Sequence, residues 1–431
     1  MRIRDFAVVV AIALAFAACS KEQTVETTHQ AKEQARSAAR RVTDALDITV
    51  PVGAQPDQPQ VRERERFDQQ WRQLQTFHAQ QAQQQAAAAA AAAQALPSGF
   101  RFVTGQKQSF KGLDANAINA APVDVPITGD VRGPSVLRAQ VYLDQLHFSV
   151  GSIDGRWGRN SAITVWWYQR ARNLPTTGDV DENTFRVLAQ EAHYAPVVRR
   201  QVLTAEDVQG PFVTIPSSVY DQQNLSCMCY QSIREKLSEE FHSTEDFLEL
   251  LNPDVKFSEL KAGDAIVVPN VRPAMTTDQK DFAKVVISLA GNSFSAFDAA
   301  GKLLFHAPTT VGSQYDPSPN ETVKVVSIVP DPYFHYDPTL FAEVPDTDPD
   351  AHLKPGPNSP VGIVWIALSK PHYGIHGNED PDSIGYTSSH GCIRLTNWDA
   401  LEVEHRISVG TPVEFVDTRS KGMPAVAKKQ S

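Results

Sequence analysis

The sequence predicts a multidomain α+β protein: a small three-helix domain, a short α/β segment, and a larger mainly-β domain of sandwich or barrel character. Three observations lead there. Residues 131–192 set apolar and amide side chains at helical spacing, residues 215–272 read helix, helix, strand, and after Pro273 the apolar residues fall into short β runs separated by Gly, Asn and Pro. The chain has 431 residues, room for several domains of about 150 residues each. Its 50 acidic and 40 basic side chains give a net charge of −10. With no concentrated basic face, that balance argues against nucleic acid as a partner. Four cysteines are too few for a disulfide-stapled scaffold, so each needs its own explanation.

At the N-terminus, Arg2 and Arg4 precede an apolar run from Phe6 to Ala18, followed by Cys19. The run falls short of the about 20 residues that span a bilayer and reads as an export signal over 1–18. Leu14-Ala15-Phe16-Ala17-Ala18-Cys19-Ser20 resembles a bacterial lipoprotein box, in which the cysteine becomes the lipidated first residue. The resemblance implies a lipid anchor on Cys19 and, with Ser20 rather than an acidic residue next to it, a periplasmic protein held at the outer membrane. Ordinary cleavage near Ala18, with Cys19 incidental, is the alternative. Residues 19–130 read as a disordered, Ala/Gln-rich tether. Nine basic and nine acidic residues lie between Lys21 and Arg72, and Gln81 to Ala95 is almost purely Gln and Ala. Such composition buries too little surface to offset chain entropy, although Ala86–Ala93 favours helix. A coil of this length reaches on the order of 60 Å.

In 131–192 the first helix carries Val136, Gln140 and Leu143 on one side, and the second carries Ala162, Trp166 and Gln169. The third starts at Asp181, an N-cap, and turns Phe185 and Leu188 inward. Gly151 to Gly158 form a glycine-punctuated turn between the first two. The spacings Leu137-x-x-Gln140-x-x-Leu143, Ile153-Asp154-Gly155-x-Trp157-Gly158, Ala162-x-x-x-Trp166-x-x-Gln169 and Leu174-x-x-x-Gly178-x-Val180-Asp181-x-x-Thr184 resemble the small peptidoglycan-binding domain found beside many wall enzymes. The implied partner is peptidoglycan. Most of these are core or turn positions, so no single ligand contact is assigned. Residues 193–214 read as a linker. In 215–272, Glu235 to His242, Phe247 to Pro253 and Leu260 to Pro269 resemble the second part of a LysM glycan-binding repeat whose opening strand is not recognisable. Glycan binding and simple spacing are both open for it. Cys227-Met228-Cys229 offers too few ligands for a structural zinc site. A local disulfide or two idle thiols remain, without a catalytic role.

In 280–418 the predicted strands are Lys284–Leu289, Phe294–Asp298, Lys302–His306, Thr322–Val329, Gly362–Leu368 and Thr411–Val416. One helix follows Asn397 to about Ile407, with Thr396 and Asp399 spaced as a capping box and Gly410 placed to end it. The proline-rich insertion Asp331–Pro360 reads as a lid or as cover for a sheet edge. His306 and His335 read as satisfied core histidines. Residues 419–431 form a tail.

Within this domain lies Tyr373-Gly374-Ile375-His376-Gly377, followed by Ser388-Ser389-His390-Gly391-Cys392-Ile393-Arg394-Leu395. Two histidines and a cysteine among glycines suit thiol acyl transfer. A thiol titrates near about 8.5 and needs an imidazole to become thiolate at neutral pH. The tetrahedral intermediate needs backbone N–H groups that glycine leaves unobstructed. The segment resembles the YkuD-type L,D-transpeptidase signature, and the resemblance extends to Gly356-Pro357-Asn358-x-Pro360-x-Gly362 and Leu395-Thr396-Asn397-Trp398-Asp399. It implies Cys392 as nucleophile, His376 as general base, and the Gly377 carbonyl orienting the imidazole. It also implies an oxyanion pocket from His390, Gly391 and the Cys392 amide, with Arg394 holding the loop or a substrate carboxylate. Zinc ligation by His376, His390 and Cys392 is the rival, but a ligated thiolate would lose its nucleophilic role and no fourth ligand is evident. Ser389 lacks the Gly-x-Ser-x-Gly setting of a serine hydrolase.

The implied reaction needs no cofactor. Cys392 forms a thioester with a peptidoglycan tetrapeptide stem, releases D-alanine and transfers the stem to a second one, in cell wall biogenesis. A hydrolase of the same fold, acting as carboxypeptidase or on a lipoprotein linkage, begins with the same thioester. A non-catalytic wall-binding lipoprotein is the reading from another class. No motif speaks to oligomeric state.

Overall fold

The computed structural model describes residues 100–313, 316–340 and 344–416. The export signal expected over 1–18, the lipid anchor expected on Cys19, the Gln/Ala run and the tail expected over 419–431 lie outside the described residues.

The last part of the expected tether is folded. Residues 100–130 contain a two-residue parallel ladder between Phe102–Val103 and Val123–Asp124 and a short helix over Ala115–Ala120. Ile118, Val123, Val125 and Ile127 are buried in the core of the domain that follows. The rings of Phe100 and Phe102 each lie 6.0 Å from that of Phe185. These apolar residues have no helical or strand period because the surface they pack on comes from elsewhere in the chain.

That surface is three helices: α1 (Pro134–Gln145), α2 (Arg159–Ala171) and α3 (Glu182–Glu191). Pro134 stands at the first turn of α1, and the Asp181 side chain caps α3 by accepting from the Thr184 amide at 2.7 Å. Two buried glutamines hold the turns. Gln140 donates to Asp154 and the Arg156 carbonyl, both at 3.0 Å, and accepts from the Gly155 amide at 2.9 Å. Gln169 donates to the Asp179 carbonyl at 2.8 Å and accepts from the Thr177 and Gly178 amides, each at 2.9 Å. A glutamine amide offers both donors and an acceptor, so one side chain can satisfy a turn with no other partner.

The next module consists of β1 (Val198–Val202), α4 (Ile233–Glu240), α5 (Glu245–Leu251) and β2 (Ala265–Pro269). β1 pairs antiparallel with β2, Val198 opposite Pro269 and Val202 opposite Ala265. The stretch 193–214 is therefore not a plain linker, since it supplies the first strand. Val198-Arg-Arg-Gln-Val202 hides only its first residue, too little burial to leave an alternating pattern. Cys227 and Cys229 form a disulfide. Buried Met228 between them donates its amide to Pro355 O at 3.0 Å and accepts from the Asn358 amide at 2.9 Å.

The β domain contains β3 (Lys284–Ser288), β4 (Ser293–Phe297), β5 (Leu303–Pro308), β6 (Thr322–Pro330), β7 (Phe334–Tyr336), β8 (Ala351–Leu353), β9 (Val364–Leu368), β10 (Gly374–His376), β11 (Ile393–Arg394), α6 (Asn397–Arg406) and β12 (Pro412–Val416). The six predicted strands are present and make the domain mainly β, as expected, in one mixed eight-stranded sheet of order β11-β10-β9-β6-β12-β3-β4-β5. The pairs β12·β3 and β10·β11 are parallel. Strand periodicity cannot reveal that the chain returns through α6 to insert β12 mid-sheet. Ala400, Val403 and Ile407 of the α6 segment pack with Val285, Ile287, Val364 and Ile366 of the sheet.

The insertion forms the hairpin β7–β8, whose Ala351 and Leu353 pack on Met228. His335 is not a core histidine: it is exposed, pairs with Asp350 at 2.9 Å and stacks on His352. His306 is fully buried, as expected, between Ser295 and the ring of Trp167. Only half of the capping box on α6 forms. Thr396 accepts from the Asp399 amide at 3.2 Å, but the Asp399 side chain turns to Arg272 and Ser149 instead. The helix ends at Arg406, so Gly410 serves the turn into β12 rather than the helix terminus.

Arg272 joins the three modules. Its buried guanidinium contacts Asp144 of α1, Asp399 at 2.5 Å and Glu402 at 2.7 Å on α6. Around it His242 Nδ1 donates to Asp144 at 2.9 Å, His147 contacts Glu402 at 2.7 Å, and the Ser149 hydroxyl donates to Asp399 at 2.8 Å. Burial would raise Glu402, but Arg272, His147 and Arg406 outweigh it and hold the carboxyl at about 2, whereas at Asp399 burial prevails and the pKa is raised. Replacing Arg272 by Met leaves these carboxylates buried without their shared cation, a loss of about 3–5 kcal/mol, read as a lower urea midpoint. Because Glu402 is depressed, its contribution is present above its ordinary 4.5 and is lost as pH falls towards about 2. Glu402→Gln is expected to flatten that part of an acid-unfolding curve.

Candidate active site

His376 ends β10, between β9 and β11. Trp365 is its partner on β9 and stacks on the imidazole at 5.4 Å, while Arg394 is its partner on β11. The ring is buried, and Nδ1 lies 2.6 Å from the Gly377 carbonyl. A carbonyl only accepts, so Nδ1 carries the proton and Nε2 keeps its lone pair. Burial first, then the charge of Arg394, lower the imidazole pKa to about 3 against the Gly377 contact. His376 is thus a neutral base at physiological pH.

The peptide at Gly377 is closely confined. A methyl group on Gly377 would stand 2.2 Å from Asn397 Oδ1, and one on Gly362 would stand 2.1 Å from the same oxygen. Gly362 also has φ of +60°, so glycine is required there for conformation as well as space.

Cys392 is a free cysteine, partly exposed, one residue before β11. Strand alternation puts it on the same face as Arg394, and so as His376. Its Sγ lies 3.5 Å from the His372 carbonyl, and no hydrogen bond joins it to His376 among the described residues. Burial raises the thiol pKa more than the Gly374 amide and the Arg394 charge lower it. At rest the pair is therefore a neutral thiol and a neutral imidazole, and the proton must move as the sulfur attacks.

Arg394 acts electrostatically on both groups. Its main chain, not its side chain, secures the loop: Thr310 N donates to Arg394 O at 3.1 Å and Arg394 N to Thr310 O at 3.0 Å. No carboxylate among the described residues forms an ion pair with its guanidinium, whose charge also acts on Glu379, lowering a carboxyl that burial raises. His390 is exposed. Ser389 Oγ donates to the Cys392 carbonyl at 2.6 Å and accepts from the Gly391 amide at 3.2 Å. The Gly391 amide is thus engaged by Ser389 in this arrangement. Gly391, at φ +107° and with a methyl group's place 2.7 Å from Tyr373, makes the close turn before Cys392. Ser389, Trp365, Tyr373 and Asn397 had no assigned role in the sequence. Their positions depend on strand register and loop packing, which no local spacing encodes.

Alkylation of Cys392 by iodoacetamide, followed by mass spectrometry of its peptide, is expected to rise with pH and reach half its maximum above pH 9. Arg394→Leu should move that midpoint higher, because it removes a cation that favours the thiolate. A midpoint below 7 would mean a resting thiolate–imidazolium pair.

The family model for the "L,D-transpeptidase catalytic domain" matches residues 283–415, and that for the "Putative peptidoglycan binding domain" matches residues 132–188. The chain is 28% identical over 181 residues to "Putative L,D-transpeptidase YkuD" of Bacillus licheniformis, covering 42% of this chain and 92% of that protein. It is 49% identical over 57 residues to the Bacillus subtilis protein of the same name, covering 13% of this chain and 35% of that one. Among solved structures, an L,D-transpeptidase from Mycobacterium smegmatis matches at 21% identity, covering 36% of this chain and 74% of that one, with a TM-score of 0.27. Residues 283–415 are therefore similar to YkuD-type L,D-transpeptidase catalytic domains, and residues 132–188 before them to putative peptidoglycan-binding domains.

Proposed function

We propose that this protein cross-links peptidoglycan stems through a thioester on Cys392. The observation that carries the reading is the 2.6 Å contact between His376 Nδ1 and the Gly377 carbonyl, which leaves Nε2 as a base on the face that carries Cys392. In the first half-reaction Sγ attacks the carbonyl of the third stem residue, usually meso-diaminopimelate, and the thiol proton passes to His376. Collapse of the adduct breaks the bond to the terminal D-alanine, whose nitrogen takes that proton. In the second, a side-chain amine of another stem attacks the thioester, gives a proton to His376, and leaves as the new amide while the proton returns to sulfur. The charge that Arg394 exerts on His376 and Cys392 supports a role for it in attracting a stem carboxylate.

The peptidoglycan-binding domain supports the wall as the site of action. The strand–helix–helix–strand order of residues 198–269 supports a LysM-like architecture for the middle module. The export signal and Cys19 support a periplasmic enzyme tethered by lipid to the outer membrane.

The test is incubation of the purified full-length chain with disaccharide tetrapeptide and mass spectrometry of the products. D-Alanine and stem dimers are expected, with a loss of roughly 10⁴-fold or more in Cys392→Ala. Release of D-alanine with tripeptide alone would identify a hydrolase, and unchanged substrate would overturn both.

A further inference from the structure

We infer that helix α4 of the middle module is a positioning element of the catalytic site: Glu239, acting through Asn397, fixes the peptide at Gly377 whose carbonyl orients His376. This rests on His376 being the base of the proposed reaction. Glu235 and Glu239 stand one turn apart on one face of α4 and are both buried. Each grips an asparagine of the catalytic domain. Asn358 Nδ2 donates to Glu235 Oε1 at 2.6 Å, and Asn397 Nδ2 donates to Glu239 Oε2 at 3.0 Å. Asn358 is held further by donating to the Cys229 carbonyl at 2.9 Å, within the disulfide loop.

Glu239 and the Pro357 carbonyl, which accepts from the same nitrogen at 3.2 Å, together decide which end of the Asn397 amide faces the site. A side-chain oxygen that accepts must meet Nδ2, so Oδ1 is turned the other way, against Gly362 and Gly377, where it also accepts from the Ile363 amide at 3.4 Å. Among the described residues Glu239 has no cationic partner. It faces Glu235 and Asp382, it adds to the charge around Tyr230, and burial raises its carboxyl to about 8. A buried acid without a cation is a costly way to join two modules, since an apolar contact of the same size would avoid the desolvation. The arrangement makes sense if what it secures is the orientation of an amide.

Glutamine at 239 can still accept from Asn397, and leucine cannot. In the full-length chain, Glu239→Leu is expected to lower kcat for D-alanine release about 100-fold with KM unchanged, while Glu239→Gln stays near wild type. The ¹⁵N shifts of the His376 ring should show the Nδ1–H tautomer in wild type and Glu239→Gln, and a mixture in Glu239→Leu. Should Glu239→Leu not fold, Asn397→Ala breaks the same link and is expected to show the same kcat loss. Active wild type with unchanged kcat in Glu239→Leu, or an equal loss in both variants, would overturn the positioning role. Inactive wild type would instead overturn the proposed reaction.

Discussion

The guanidinium of Arg272 is the contact on which the rest of the described structure depends. It lies in the segment between the middle module and the first strand of the catalytic domain, and it is enclosed by carboxylates from α1 and α6. A buried cation is tolerable only with such partners, and they are tolerable only with it. The three modules are therefore held in one register by a group that none of them could bury alone. The ladder between Ser149 and His306 follows from this, because it adds the turn after α1 to the free edge of β5. That edge is thereby covered rather than left open to another chain.

The same fixing of modules reaches the chemistry. His376 is buried by Trp365 on one side and shaped by Gly377, Gly362 and Asn397 on the other. Burial removes charge from both the base and the thiol, and Arg394 is the nearby charge that opposes this at Cys392 while reinforcing it at His376. A site of neutral partners avoids stabilising the free thiolate. In the proposed reaction its cation is available instead for the charge that develops as the sulfur attacks. The carboxylates on α4 extend this preorganisation into a module outside residues 283–415.

Much of the site was legible because chemistry demands particular residues in short order. His376-Gly377 and Ser389-His390-Gly391-Cys392-x-Arg394 lie in two tight loops, and the spacing of motif residues there reflects local geometry. The glutamines of the three-helix domain were legible for the same reason, since each closes a turn within about ten or twenty residues of itself. Less visible were contacts made across the chain. Asp399 looked like a capping partner because Thr396 lies three residues before it, yet its side chain is drawn to Arg272 by a stronger, charged interaction. His335 looked like a core residue among aromatics but belongs to an exposed hairpin.

By itself the sequence determined the three folded modules, the strands of the large sheet and the candidate pair His376 and Cys392, because hydrophobic period and motif spacing are local properties. The tertiary structure alone decided the mixed strand order, the folding of 100–130 and of Val198–Val202, and the alignment of Glu239, Asn397 and Gly377. Each of those requires residues distant in the chain to meet, and the energy that selects the meeting comes from burial and charge pairing that no single segment contains.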